Sequence, residues 1–291
     1  MADEEPLEVT PLPILHEESH FMVIDKPAGL FTQAAAGIDS VQSRLTEQIK
    51  QRDQHAGVPF VGLPHRLDRG TSGVILIARN QRALSRFGEQ FHSRKIGKYY
   101  LAAVVDPLAA KSQVQSADFG ASPSPTLQFA AEWSDYVRKI TDQPLAEICD
   151  SAAEGAKLAQ LTAEPLASAG GVTLLLIKLL TGRMHQIRIQ AASRGLRILG
   201  DLTYGGPEFF DIDSEIDSEP NGDAYNENSE LASMALHALR LEIRHPQTAK
   251  QMAFTAAPPS TWENLPRELF LALAECVDRS RRENNIAWSQ K

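Results

Sequence analysis

Apolar positions along this chain follow two spacings, and the change from one to the other outlines the elements. Short apolar runs predict strands at Ile14–His16 and Phe21–Asp25, on either side of a polar Glu17-Glu18-Ser19-His20 turn. Lys26-Pro27-Ala28-Gly29 breaks the second run. Val41, Leu45 and Ile49 recur every four residues, which predicts a helix from Ser40 to Gln54. Val74–Ala78 is unbroken apolar sequence, the pattern of a strand buried on both faces. Asn80 is placed to cap the next helix. In that helix Ala83, Leu84, Phe87 and Phe91 form one apolar face, and Arg82, Arg86 and Arg94 fall off it. Lys98–Val105 predicts another strand. Leu158–Ala163 and Val172–Leu180 flank Gly170-Gly171 and predict a hairpin with a longish connection, its second strand fully buried. A short helix from about His185 to Gly195, a strand over Leu236–Ile243 and a helix from Glu268 to Arg282 complete the series. Strands and helices do not alternate in a βαβα rhythm. The expected class is therefore α+β, a single domain with a mixed, largely antiparallel central sheet flanked by helices.

Composition sets the boundaries between these elements. Residues 1–12 are acidic and contain proline, and read as a flexible tail. The domain itself is expected over 13–260, followed by a helical extension over 261–291. Residues 107–125, rich in Ala, Ser and Pro, read as an insertion loop, and residues 206–230 as a mobile acidic one. No internal repeat is present. Hydrophobic residues make up 43% and charged residues 23% of the 291, which is ordinary for a water-soluble globular protein. Cys149 and Cys276 belong to no CxxC pattern and read as reduced packing residues. No apolar run approaches a membrane span, and the Met-Ala-Asp-Glu-Glu start is unlike a secretory or transit sequence. A cytoplasmic location is expected.

The net charge of −8 argues against a polyanionic partner until its distribution is considered. Six acids and no Lys or Arg lie in residues 1–20, and nine acids and no Lys or Arg in residues 205–232. With those fifteen set aside, the remainder carries +7. Residues 66–98 hold eight Lys or Arg against Asp68 and Glu89, and residues 178–197 hold five and no acid. A basic face with acidic appendages suits a polyanion.

The stretch Pro64-His65-Arg66-Leu67-Asp68-Arg69-Gly70-Thr71-Ser72-Gly73 lies in a loop just before a buried strand, a common placement for catalytic groups. Arginines on both sides of Asp68 would favour its charged form as nucleophile or base. Gly70 and Gly73 allow tight turns. On the residues alone, a surface network of Arg, Asp and Arg explains the loop as well as catalysis does.

This stretch resembles the His-Arg-Leu-Asp-Arg-x-Thr-Ser-Gly signature of the RluA-type pseudouridine synthases. Further blocks resemble the same family in the same order: Asp25-Lys26-Pro27-Ala28-Gly29-Leu30, Lys98-Tyr99-Tyr100-Leu101-Ala102, Thr181-Gly182-Arg183-Met184-His185-Gln186-Ile187-Arg188, Leu199-Gly200-Asp201 with Tyr204-Gly205, and Leu236-His237-Ala238 with His245-Pro246. Six ordered blocks over roughly residues 14–260 make a specific signal where one would be weak. The resemblance implies a pseudouridine synthase catalytic domain that isomerises uridine in ribosomal or transfer RNA. It implies Asp68 as the catalytic aspartate, Tyr100 as the active-site tyrosine with Tyr99 as the alternative register, and Arg188 as the partner of Asp68. His65, Arg66, Arg69, Thr71, Lys98, Arg183, His185 and Gln186 are expected to contact substrate RNA, and Arg82 and Arg86 to hold phosphates. The pattern departs at Phe31-Thr32-Gln33, where a Val-His-Pro-like stretch is usual, at Met184, where Thr or Ser is usual, and in the long acidic 206–230 segment. No separate S4-type RNA-binding domain is expected at the N-terminus, since strands begin by about residue 14.

No cofactor and no metal is expected. His65, His185, His237 and His245 lack HExxH or Cys/His ligand spacing, and neither GxGxxG nor a Walker-type loop is present. RNA is the expected partner, with no membrane and no nucleotide cofactor, and the chain is expected to act as a monomer. A kinase catalytic loop is excluded, because a leucine interrupts His-Arg-Asp and Gly73 stands where that loop needs a fixed Asn. The alternative is a catalytically inactive RNA-binding module or RNA chaperone of the same fold.

Overall fold

The computed structural model describes residues 10–54, 57–105, 131–208 and 234–289, with side chains to residue 284. Among the described residues, four helices flank one sheet of eleven strands. The helices are α1 (Val41–Arg52), α2 (Gln81–His92), α3 (Gln186–Ala192) and α4 (Arg267–Ser289). The strands are β1 (Ile14–Glu17), β2 (Phe21–Lys26), β3 (Ser72–Ala78), β4 (Gly97–Val105), β5 (Ala131–Lys139), β6 (Ala146–Cys149), β7 (Lys157–Ala169), β8 (Val172–Leu179), β9 (Arg197–Ile198), β10 (Leu236–Arg244) and β11 (Gln251–Thr255). Their order is β1-β2-β3-β10-β4-β8-β7-β5-β6, with β11 beside β10 and β9 beside β4. Every pairing among the named strands is antiparallel except β3 with β10, as the α+β reading expects.

The period of two in β2 and β3 sorts side chains between two helices. Phe21, Val23, Val74 and Leu76 pack with Ala83 and Phe87 of α2, whereas Met22, Ile24, Ile75 and Ile77 pack with Val41, Leu45 and Ile49 of α1. In the same way Leu101, Ala103 and Val105 of β4 meet α4, and Ala102 and Val104 meet Ile187 and Ala191 of α3. Tyr100 packs into both the α1 and the α3 clusters, so those two helices share a face of the sheet, and α2 and α4 cover the other. Ser40 and Ser43 form a capping box on α1, and the Asn80 side chain accepts from Ala83 N at 2.9 Å to start α2.

Three boundaries move. Leu12, assigned above to the tail, is buried, and its backbone exchanges two hydrogen bonds with the Gln48 side chain at 2.8 and 3.1 Å. The C-terminal helix is no extension, because Trp262, Leu265, Leu269, Leu273 and Val277 are buried in one core cluster with β4 and β8. The β7–β8 connection is short. β7 continues through Pro165, where its register with β8 shifts, and only Gly170 and Gly171 turn the chain, both with positive φ. β8 is buried as expected except at Lys178 and, partly, Leu176. The two expected insertion loops fall largely outside the described residues, and most of the acidic tail does too.

Candidate active site

The loop 64–71 is held at the start of β3 from three sides. Lys26 ends β2 fully buried, and its ammonium donates to the carbonyls of Pro27, Arg69 and Thr71 at 2.9, 3.1 and 2.8 Å. Thr32 Oγ1 donates to Leu67 O at 2.8 Å and accepts from Leu67 N at 3.1 Å. Ser72 Oγ meets His237 Nδ1 at 2.9 Å, where β3 and β10 run parallel. Gly73, with φ 107°, lies so close to β10 that a Cβ would sit 2.3 Å from Ala238 O. Glycine is required there by both the angle and the space. Burial pushes Lys26 down to about 7, against the opposing pull of Asp68 and Asp25. Burial likewise pushes Asp25 up to about 6, against Lys26.

Asp68 emerges from this clamp with its side chain 32% exposed. Arg188 of α3 faces it, with Nη1 3.5 Å from Oδ2. The rest of that guanidinium is committed elsewhere. Nε and Nη2 donate to the two carboxylate oxygens of buried Asp201 at 2.8 and 2.7 Å, a bidentate pair. The Tyr204 ring lies 4.9 Å from the guanidinium carbon. Burial works against the Arg188 charge, but the Asp201 hydrogen bonds and the Asp201 and Asp68 charges more than offset it, and its pKa is raised. His185 precedes α3 in the left-handed region, φ 50°, which is uncommon for a residue with a Cβ. Its Nε2 lies 4.0 Å from Asp68 Oδ2, and its Nδ1 3.0 Å from Tyr204 Oη. Burial sets His185 below the ordinary histidine range, with Asp68 opposing and Arg188 adding to the shift. The Tyr204 hydroxyl also accepts from Ala146 N at 3.0 Å and so ties the site to edge strand β6.

Tyr100, and not Tyr99, lies on the α1/α3 face of β4 and senses Asp68. Burial, and then the Asp68 charge, push its phenol well above the ordinary range. Tyr99 points the other way. Its ring carries Lys178 at 5.7 Å and its hydroxyl lies 3.5 Å from Glu242.

The expected RNA contacts divide. Arg66 and Arg69 are exposed beside Asp68. His65 is committed to the scaffold instead: Nε2 accepts from Leu76 N at 2.9 Å and the ring stacks on Phe91 at 4.7 Å. Gln186 is a buried latch whose carbonyl accepts from Thr181 Oγ1 and Arg183 N at 2.7 and 3.0 Å, and Thr71 is buried. Lys98 Nζ donates to Thr181 O at 3.0 Å and Arg183 Nε to Leu158 O at 3.0 Å. Burial, followed by the Arg94 and Arg183 charges, brings Lys98 down to about 8. Arg82 and Arg86 ride on α2, on the sheet face away from Asp68, and Arg86 Nη1 donates to Pro246 O. Lys26, Asp201 and Tyr204 received no role from the sequence, although each lies inside one of the motif blocks. Among the described residues no group of His, Cys, Asp or Glu is placed to hold a metal ion, and no helix is long and apolar enough to cross a membrane.

Residues 20–193 match the family model described as RNA pseudouridylate synthase. The chain is 32% identical over 276 residues to the ribosomal large subunit pseudouridine synthase D of Xanthomonas campestris, covering 94% of this chain and 73% of that one. It is 30% identical over 275 residues to a protein of Aquifex aeolicus named only as an RNA pseudouridine synthase, covering 90% and 76%. Its fold is that of human RNA pseudouridylate synthase domain containing 1, with TM-score 0.62 and 22% identity over 95% of this chain and 97% of that one. Human RNA pseudouridylate synthase domain containing 4 is similar too, at TM-score 0.61 and 20% identity over 90% and 93%.

Proposed function

We propose, for a chain that belongs to the RNA pseudouridylate synthase family, that Asp68 is the group that acts on the ribose of a target uridine. Membership makes the protein an isomerase of uridine in RNA. Its reaction breaks the N1–C1′ bond, turns the uracil and joins C5 to C1′. The observation that carries the assignment is the partly exposed Asp68 carboxylate facing a single free nitrogen of an otherwise committed, buried arginine. Attack on C1′ and removal of a sugar proton draw on the same property, a carboxylate fixed beside the ribose.

Tyr100 supplies a flat ring for the uracil and a hydroxyl near C5. Burial and the Asp68 charge keep that hydroxyl protonated. Tyr100 therefore passes its hydroxyl proton to the Asp68 carboxylate or to water as it takes the C5 proton, and does not begin as a phenolate. Arg188 orients Asp68 and balances its charge. The target base leaves its stack to reach the site, at a cost of a few kcal/mol that is least in a loop or bulge. The protein acts as a monomer on such a nucleotide of a structured RNA, and the large-subunit ribosomal RNA is the substrate to test first, as the names of its relatives suggest.

The test is pseudouridine mapping of total RNA from a deletion strain, repeated after rescue with wild type or Asp68→Asn. One site lost and restored by wild type alone is the expected result. Restoration by Asp68→Asn would overturn the role of Asp68. RNA binding without pseudouridine formation by either protein would favour an inactive binding module.

A further inference from the structure

An aromatic ring stands against Arg69, the sequence neighbour of Asp68, outside the apolar core. Phe31 is 37% exposed and belongs to none of the five apolar clusters of the core. Its backbone is nonetheless held firmly. Phe31 O accepts from Val41 N at 2.8 Å, and Phe31 bridges Ser40 at the start of α1. On either side of it the chain is fastened to the Asp68 loop. Gly29 N donates to Arg69 O at 2.8 Å and Arg69 Nε to Gly29 O at 3.1 Å. Thr32 exchanges its two bonds with Leu67. The backbone that carries the ring is thus fixed relative to the Asp68 loop.

Arg69, next in sequence to Asp68, lies with its guanidinium carbon 4.7 Å from the Phe31 ring centroid. Only Nε of that guanidinium has a hydrogen-bond partner among the described residues, which leaves Nη1 and Nη2 for a ligand. The pair offers a flat π surface, a positive charge and two free donors, at the rim of a site that receives a flipped nucleotide. A nucleobase stacks on such a surface whatever its identity, and a phosphate pairs with the free donors. A core aromatic would be buried, and a surface phenylalanine without this use would gain nothing from so rigid a mount.

We propose that Phe31 and Arg69 form a stacking platform for an unpaired nucleobase next to the target uridine, with Arg69 holding the adjoining phosphate. The proposal rests on the reading of Asp68 as the centre of an RNA-modifying site. It assigns a binding role to Phe31, the first residue of the Phe31-Thr32-Gln33 stretch in which the chain departs from the motif pattern it otherwise follows.

The probe is a set of RNA hairpins with uridine in the loop and 2-aminopurine at one loop position at a time. Wild type should quench the fluorescence at one position. Phe31→Ala and Phe31→Leu should lose the quench and bind roughly tenfold more weakly, and Phe31→Trp should keep both. Leucine keeps apolar volume without a π face, so an unchanged Phe31→Leu would overturn the platform. An equal quench at all positions, or none with wild type, would overturn it as well. Arg69→Gln should lower the slope of log K against log salt by about one, whereas Phe31→Leu should leave that slope unchanged. Melting temperatures of the Phe31 variants should match wild type, because the ring is outside the core. Pseudouridine in total RNA from the Asp68→Asn strain tests the parent reading separately. If the platform fails, that site still depends on Asp68; if the parent reading fails, it does not.

Discussion

Arg188 and Arg66 both stand near Asp68, and they belong to opposite regions of the site. The floor, made of Arg188, Asp201, Tyr204 and Lys26, is buried or half-buried and densely bonded. The rim, where Arg66 and Arg69 emerge, is exposed, and Arg66 has no ion pair or hydrogen bond among the described residues. A buried charge that loses its partner is left uncompensated, whereas an exposed one is compensated by water. We therefore propose that the floor fixes geometry for chemistry and that the rim supplies adjustable contacts for RNA. The same residue type does both, and burial with partner count separates the two uses.

Substitutions should rank accordingly. Asp68→Asn removes the group that the floor exists to hold. Pseudouridine formation should fall to background in a single-turnover assay, with RNA affinity retained. Arg188→Ala should lower turnover by two to three orders of magnitude, corresponding to about 3–5 kcal/mol for a broken buried pair. Near-normal turnover would show that the floor does not position Asp68. Asp201→Asn keeps the shape but frees one side of the guanidinium. A loss on the order of tenfold to a hundredfold, in kcat and not in RNA affinity, is expected. Arg66→Ala should weaken binding a few-fold and lower the salt slope by about one, with turnover at saturating RNA little changed. A turnover loss as large as that of Arg188→Ala would erase the contrast between rim and floor.

A separate effect, on stability and not on turnover, concerns groups the fold keeps neutral. Burial, aided by the Lys98 charge, holds His65 down to about 3, and burial holds His237 down to about 4 despite its Ala256 bond. In the unfolded chain both take up a proton near 6.5, so the unfolded state binds more protons between that value and the folded one. Their contribution is complete above about pH 6.5 and is lost as pH falls toward 3–4, at up to about 1.4 kcal/mol per pH unit for each. Denaturant melts across this range should show that acid limb, and His65→Asn should flatten it.

Much of this was legible in the sequence because the signals were local. The four-residue spacing of Val41, Leu45 and Ile49, the cap at Asn80 and the apolar run of β3 all reappear in the structure. β5 left no signal, because only Trp133 and Val137 of its nine residues are buried. β7 was shortened by Pro165, which a register shift accommodates. In the site, the motif blocks pointed to Asp68, Tyr100 and Arg188 but not to what holds them. Asp201 lies thirteen residues beyond Arg188, and its carboxylate reads as a partner only once α3 and the turn at Leu202–Tyr204 are folded together. His65 looked like an RNA contact because a motif position does not say which way a ring faces.

The parallel pairing of β3 with β10 has a consequence for biosynthesis. It joins Ser72 to His237 across 165 positions of chain, and His237 is in turn closed by Ala256. The loop carrying Asp68 leaves the ribosome well before the strand that seats it. A nascent chain thus carries Asp68 long before the strand that seats its loop is in place. A pairing of such long sequence separation predicts slow, late docking of the Asp68 loop.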